Sequence, residues 1–178
     1  MKISMYGLAS ETFTGMLGDL SGILDKGAEH AAKAKIDPAM LIKAKLAPDM
    51  FDLARQVQIA CDHAKGTTAR LTGVEPPVWE DSEKTIDELK ARIAKTIDYV
   101  RATGETAYEG AEDREITLAV PGVTRMMTGL QFLKDWALPH FYFHVVTAYD
   151  ILRHEGVEIG KREYLGHVAK YIRPPAAA

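Results

Sequence analysis

The sequence has one cysteine, no surplus of basic residues and no long apolar run, and each of these features excludes a class of protein. Cys61 alone cannot form an intrachain disulfide, which is typical of a reducing compartment. The 22 basic and 25 acidic residues are spread along the chain and give a net charge of −3, so no basic stripe is available for nucleic acid. No run approaches the roughly 20 apolar residues of a membrane span, and the first residues lack the apolar core of a signal peptide. We therefore expect a cytoplasmic protein with no nucleic-acid and no membrane partner.

Several catalytic signatures are also missing. No glycine-rich loop follows a predicted strand to bind phosphate, and no local pattern pairs a serine or cysteine nucleophile with a base. The HExxH motif, which supplies the glutamate base of many metalloproteases, does not occur either. These absences leave the histidines as the candidate site, and they single out no general base.

The composition is that of an ordinary globular domain. Apolar residues make up 47% of the chain and charged residues 26%, which argues against a disordered or fibrous protein. A chain of 178 residues is long enough for one well-filled core and short for two. We therefore predict a single domain over residues 1–178, with residues 173–178 as a frayed tail.

Four segments carry apolar residues at the three-and-four spacing of a helix face. They run from Tyr6 to about Lys33, from Asp49 to Thr72, from Thr85 to Gly104 and from Leu138 to Gly156. Short connections between such helices favour an antiparallel arrangement around a common core. The pattern predicts an all-α fold, a four-helix bundle with one long crossover between the third and fourth helices.

Helix-terminating signals support these boundaries. Thr85 followed by Glu88 forms the pattern of a capping box at the start of the third helix. Pro139 suits the first position of the fourth helix, where its missing N–H is not needed. Gly73 and Gly156 stand where a helix C-terminus favours glycine.

Three glycines in the first predicted helix have two interpretations. Gly15, Gly18 and Gly22 each lower helix propensity by about 1 kcal/mol relative to alanine. Alternatively, their small size allows a neighbouring helix to approach closely.

The connections differ in length and character. Residues 37–50 contain Pro38 and Pro48, which predicts a connector with one short turn. In the crossover, the stretch REITLAVPGVTRMM places two short runs on either side of Pro121 and Gly122, which fits either a β-hairpin or an irregular loop. The segment after Gly156 lacks a long helical period, and we expect it to lie back over the bundle.

A histidine pair on the fourth helix is the main candidate site. His140 and His144 are one turn apart, so their rings are displaced by about 40° and 6 Å and can face one ion. Zinc-like ions at catalytic sites usually take three protein ligands, so two are too few. His63 is the best third ligand, because it lies on the second long helix and a bundle can bring it against the fourth.

The neighbours of these histidines receive separate interpretations. Gln56 lies two turns before His63 on nearly the same face and is a candidate for orienting a ligand. Asp62 is about 100° away from His63 and is either an outer-sphere carboxylate or a solvated one. Cys61 is about 200° away, which predicts a place in the core. His140 falls in the first helical turn, where the helix dipole disfavours the protonated ring.

The other histidines are poorer candidates. His154 lies about 21 Å along the helix axis from His140, so it cannot share a site and would cap the last turn instead. His30 and His167 stand in polar surroundings and are expected to be exposed. An HxxxH pair alone also arises by chance in a helix rich in aromatic residues, in which case the rings are merely hydrogen-bonded.

Three stretches carry a resemblance to a known family: LAPDMFDLARQVQIACDHAKGTTARLTG, LPHFYFHVVTAYDILRHEGVEIGK and EYLG. They resemble an uncharacterised bacterial and fungal family, a domain of unknown function, which is similar to the DinB and YfiT-like superfamily of metalloenzymes. The resemblance implies a four-helix bundle that often forms homodimers. It also implies nickel, zinc or a similar divalent ion held by one histidine of the second helix and an HxxxH pair of the fourth. His63, His140 and His144 match these positions.

Two functions follow as hypotheses. The resemblance implies a metal-dependent hydrolase or a thiol S-transferase that acts on a small molecule or a low-molecular-weight thiol. The alternative is a non-enzymatic, dimeric binding module associated with stress, in which the histidines hold no metal. The first hypothesis requires the three imidazoles to converge, whereas the second tolerates their separation.

Overall fold

Helices account for most of the regular structure in the computed structural model, which describes residues 3–120 and 122–173. The α-helices are α1 (Thr12–Ala34), α2 (Pro38–Ile42), α3 (Leu53–Thr72), α4 (Ile86–Ala102), α5 (Gly129–Gln131), α6 (Leu138–His154) and α7 (Lys161–Tyr164). A two-stranded antiparallel sheet, β1 (Glu115–Val120) and β2 (Val123–Thr128), lies between α4 and α5. None of the helices in this part of the chain has the length and apolarity needed to cross a membrane.

The four long helices pack on one another around a common apolar core. Helix α3 packs against α6 and α4, and α1 packs against α4 and α6. Phe13 of α1 and Phe141 of α6 are fully buried and meet edge to face, with ring centroids 4.9 Å apart. The two pairings of α3 matter for function, because α6 carries the HxxxH pair and α4 carries the charges described below.

Several helix boundaries are confirmed. Thr85 Oγ1 accepts a hydrogen bond from the Glu88 N–H at 3.1 Å, and the Glu88 carboxylate accepts one from the Thr85 N–H at 3.0 Å, which completes the predicted capping box. Gly73 and Gly156 end α3 and α6 with φ angles of 74° and 86°, values that favour glycine. The short turn predicted after Pro38 is α2.

The predicted start of α3 was wrong by four residues. The helix begins at Leu53 rather than Asp49, because Asp52 is the N-cap and its carboxylate accepts a hydrogen bond from the Arg55 N–H at 2.9 Å.

The dipole argument for His140 was also wrong. A π-helical segment, Phe132–Ala137, runs directly into α6, so that α5, this segment and α6 follow one another without a break. His140 therefore does not stand at a free helix N-terminus, and the positive end of a helix dipole does not act on it.

The crossover between α4 and α6 contains a β-hairpin, so the alternative of an irregular loop was wrong. The strands pair antiparallel from Glu115 opposite Thr128 to Val120 opposite Val123. Gly122 has a φ of 80°, a conformation that a tight hairpin turn requires and that glycine adopts without strain. Pro121, the other predicted turn residue, lies outside the described residues.

Gly15, Gly18 and Gly22 of α1 do not allow another long helix to approach closely, which was one of their two interpretations. A Cβ at Gly18 or Gly22 would meet no atom within 4 Å, and one at Gly15 would meet the His167 ring at 3.2 Å. The close approach is at Gly27, where a Cβ would stand 3.2 Å from Leu152 of α6.

The segment after α6 packs on α1, as predicted, through α7 and a 3-10 turn, Gly166–Tyr171. The expectation that His167 is exposed was wrong, because its Nδ1 is hydrogen-bonded to the largely buried carboxylate of Asp19. His30 is half-buried, and His154 is exposed as expected. Of the predicted tail, Arg173 is exposed and residues 174–178 lie outside the described residues.

Candidate metal centre

The three predicted histidines lie together at the contact between α3 and α6. The His63 ring stacks beside both histidines of α6, with ring centroids 5.0 Å from His140 and 5.8 Å from His144 and interplanar angles of 26° and 19°. The arrangement arises because α3 packs along α6, which places the middle of one helix beside the first two turns of the other. The structure thus brings the three predicted imidazoles together at one contact between helices.

Gln56 holds the His144 ring. The His144 Nδ1 lies 2.7 Å from Gln56 Oε1, and the Gln56 amide in turn donates to the Phe51 carbonyl at 3.2 Å. Because a carbonyl oxygen only accepts, the Nδ1 atom of His144 carries the proton and its Nε2 atom keeps a free lone pair. Both side chains are buried, so the orientation of the ring is fixed.

Trp136 holds the His140 ring in a similar way. The His140 Nδ1 donates to the Trp136 carbonyl at 2.7 Å, and the two rings are in contact with centroids 4.2 Å apart. The Trp136 ring also packs against the guanidinium of Arg125 from β2, at 4.9 Å from the ring centroid. The role of Trp136 was not predicted, because it depends on the π-helical segment before α6. The three-and-four spacing of apolar residues does not reveal that segment.

The environment keeps His63 and His144 neutral. Their pKa values are lowered to about 4, mainly by burial and in second place by the neighbouring His140. Neither ring nitrogen of His63 has a hydrogen-bond partner among the described residues. At neutral pH this leaves His63 and His144 uncharged, which is the state that a metal requires.

Three imidazoles are suitable ligands for a divalent ion, but their rings are not arranged around a common point. His140 and His144 each have an Nε2 lone pair directed away from the Nδ1 acceptor, and the neutral His63 ring lies beside both. The rings are stacked rather than aimed at a common centre, and in the described part of the chain no three histidine, cysteine or acidic side chains already stand at ligating positions. Metal binding would require the rings to turn until their nitrogens stand about 2.0–2.1 Å from the ion.

Asp62 belongs to a charge network rather than to the histidines. Its Oδ1 accepts a hydrogen bond from Arg92 of α4 at 2.8 Å and forms an ion pair with Lys65 at 2.7 Å, and no histidine of the described residues donates to it. The guanidinium of Arg92 also pairs with Asp81 and Glu83.

Cys61 lies in the core, as predicted. Its side chain is fully buried, and burial raises the pKa of its thiol to about 12. A thiol that stays protonated at neutral pH is neither a metal ligand nor a nucleophile.

A cavity of about 450 Å³ lies beside His63, between α3 and the hairpin. Its α3 wall contains Arg55, Ile59, Asp62, His63, Thr67 and Arg70, and its other wall contains Thr117, Leu118, Ala119, Phe132 and Trp136. His63 thus borders a space of the size that small molecules occupy in proteins.

These features define a mostly helical protein with a small antiparallel sheet and three neighbouring histidines, one of which, His63, lines a cavity. Residues 5–165 match the family described as a domain of unknown function, DUF1993, and the chain belongs to that family. It is 41% identical to a DinB family member protein from Shewanella denitrificans, whose crystal structure superposes with a TM-score of 0.84. That match covers 98% of this chain and 95% of the other. None of the curated proteins matches the chain.

The assignment made from sequence motifs is thereby confirmed, both for the family and for its relation to DinB proteins. Fold and family do not themselves establish an activity.

Proposed function

We propose that this DinB-like protein binds one divalent metal ion, nickel or zinc, through His63, His140 and His144. The observation that carries the proposal is the gathering of three imidazoles, of which His144 and His140 each use Nδ1 for a hydrogen bond and keep Nε2 free. A hydrogen bond on the far nitrogen is the usual way in which proteins orient a histidine ligand.

The proposed activity is that of a metal-dependent hydrolase or thiol S-transferase acting on a small molecule. A bound ion would supply Lewis-acid chemistry and lower the pKa of a water or thiol. The protein's own residues would do the rest: Gln56 and Trp136 hold two of the rings, burial keeps His63 and His144 neutral, and the cavity beside His63 receives the substrate.

The scaffold and the assembly are part of the same proposal. In it, the four long helices form a four-helix bundle of the DinB type, and two copies form a cytoplasmic homodimer, as the resemblance implies. The exposed apolar side chains of α6, Phe143 at 58% and Val146 at 38%, are available for such a contact.

The alternative is a dimeric binding module without metal. It is favoured by the stacked rings, which hydrogen bonds and packing alone would explain, and by the absence of ligating geometry among the described residues.

Metal content separates the two functions. Tag-free protein purified without chelator would be analysed for metals as wild type, as His144→Ala and as His154→Ala, a control that removes an exposed histidine of the same helix. We expect about one equivalent of a divalent ion in the wild type and the control, and its loss in His144→Ala. If the wild type stays metal-free after incubation with each ion and washing, the metal site is refuted and the binding module remains.

A further inference from the structure

The side chain of Arg70 carries a positive charge that is not paired with a carboxylate of the described residues. It is half-buried on α3, two turns after His63, and its Nη1 donates to the Gly66 carbonyl at 3.0 Å. It forms no ion pair with a carboxylate of the described residues, although Glu75 lies near enough to raise its pKa while burial lowers it. A partly desolvated cation with so few partners is costly unless another group offsets its charge.

The other charged groups of the cavity are already paired. Arg55 forms an ion pair with Asp81, and Asp62 pairs with Arg92 and Lys65. The cavity therefore contains one guanidinium that forms no ion pair with a carboxylate of the described residues. A ligand with a single negative charge would balance it, and a guanidinium binds a planar carboxylate through two parallel hydrogen bonds.

The surroundings of Arg70 allow its guanidinium to lie against its own helix. A Cβ at Gly66 would stand 2.8 Å from Arg70 Nη1, so the guanidinium lies directly over this glycine. The opposite wall, with Leu118, Ala119 and Phe132, is apolar. The cavity thus combines an anchor for one charge with a surface for a hydrocarbon portion, as in most small-molecule sites.

We propose that this cavity binds a small organic acid, with the carboxylate on Arg70 and the remainder extending toward His63. The inference deepens the proposed function and rests on it for any reaction at the histidines, but the binding itself requires only the protein. Along the helix, Arg70 and His63 are about 10 Å apart, which suits an acid of several carbon atoms.

The test uses the metal-free, full-length protein and the tryptophan indole N–H signals in NMR spectra. Trp136 lines the cavity and Trp79 does not, so the second signal is an internal reference. Straight-chain monocarboxylates from acetate to octanoate and their primary amides would be titrated in turn. We expect at least one acid to shift the Trp136 signal and to bind at least tenfold more tightly than its amide.

Variants then test the anchor. Arg70→Met should weaken binding of that acid at least tenfold, Arg70→Lys should weaken it less, and Arg101→Met, which removes an exposed arginine of α4, should leave it unchanged. Thermal melting would verify that each variant folds. The inference is overturned if no acid shifts Trp136, if acids and amides bind equally, or if both Arg70 variants bind as the wild type does.

The two proposals fail separately. Acid binding in a protein that takes up no metal would refute the metal site and leave the acid site standing. Metal uptake without acid binding would do the reverse.

Discussion

The Nδ1 atom of His144 and the Oε1 atom of Gln56 are 2.7 Å apart, although 88 positions separate the two residues in the chain. This hydrogen bond joins α6 to α3 at the candidate metal centre and sets the tautomer of a buried imidazole. Because Gln56 is itself fixed by the Phe51 carbonyl, the orientation of His144 is determined before any ligand binds.

Replacing Gln56 should weaken metal binding without removing a ligand. In Gln56→Ala the His144 ring loses its acceptor, and we expect affinity for zinc to fall about 10- to 100-fold, as is usual for outer-sphere partners of histidine ligands. Competition with a chromophoric chelator measures this. Gln58→Ala is the matched control, since Gln58 is a buried glutamine of the same helix that donates to Glu83 instead. Equal affinity of the Gln56 variant and the wild type would contradict the assigned role.

The stability of the metal-free protein should depend on pH because His63 and His144 are held neutral. Both have a folded pKa of about 4, below the value of about 6.5 in an unfolded chain, so the unfolded state binds more protons between these values. The stability that the two neutral histidines contribute is therefore fully present above pH 6.5, and it is lost as the pH is lowered toward 4. For each histidine, the free energy of unfolding can fall by at most about 1.4 kcal/mol per pH unit in this range, and by less for the half-buried His63.

Urea unfolding at a series of pH values measures this dependence. A variant with His144→Gln should show a smaller decline between pH 6.5 and 4 than the wild type. An unchanged decline would place its origin in other groups.

Alanine at Gly129 should be strongly destabilising. This buried glycine begins α5 directly after the hairpin, and a Cβ there would stand 1.8 Å from the backbone oxygen of Ala111. Backbone must move to accept the methyl group, so we expect a loss of about 3 kcal/mol in the free energy of unfolding, the upper range for overpacking. Gly104→Ala is the control, because a Cβ there meets nothing within 4 Å. Denaturant unfolding that places both variants within about 0.5 kcal/mol of the wild type would contradict the close contact.

Alanine at Gly18 should have the opposite effect. The position is exposed in the middle of α1, and a methyl group there would meet no atom within 4 Å, so the gain in helix propensity is about 0.5–1 kcal/mol. The comparison is Gly27→Ala in the same helix, where the Leu152 side chain at 3.2 Å offsets the gain. Thermal melting should rank Gly18→Ala above the wild type and above Gly27→Ala.

Local rules predicted the parts of this fold that depend on local chemistry. The capping box at Thr85, the glycines that end α3 and α6, and the strands flanking Gly122 all follow from residues within one turn of each other. Helix geometry also predicted correctly that Cys61 lies in the core. Two residues along a helix correspond to a rotation of about 200°, so Cys61 and His63 point in nearly opposite directions.

What the sequence did not reveal depends on contacts between distant segments. Trp136 acts through a backbone carbonyl in a π-helical segment, so its residue type gives no sign of this role. Asp62 pairs with Arg92, 30 positions away on another helix, and His167 pairs with Asp19, 148 positions away. No periodicity within one helix encodes such pairs.

The contact between Asp19 and His167 also bears on where the folding unit ends. The family match stops at residue 165, two positions before this histidine, so a chain trimmed to that boundary would keep Asp19 and lose its partner. The aspartate side chain is only 9% exposed, so trimming would leave this carboxylate of α1 without its hydrogen-bond partner. We therefore expect a stable domain to need the hydrogen bond between Asp19 and His167, and so to extend at least through the 3-10 turn that carries His167.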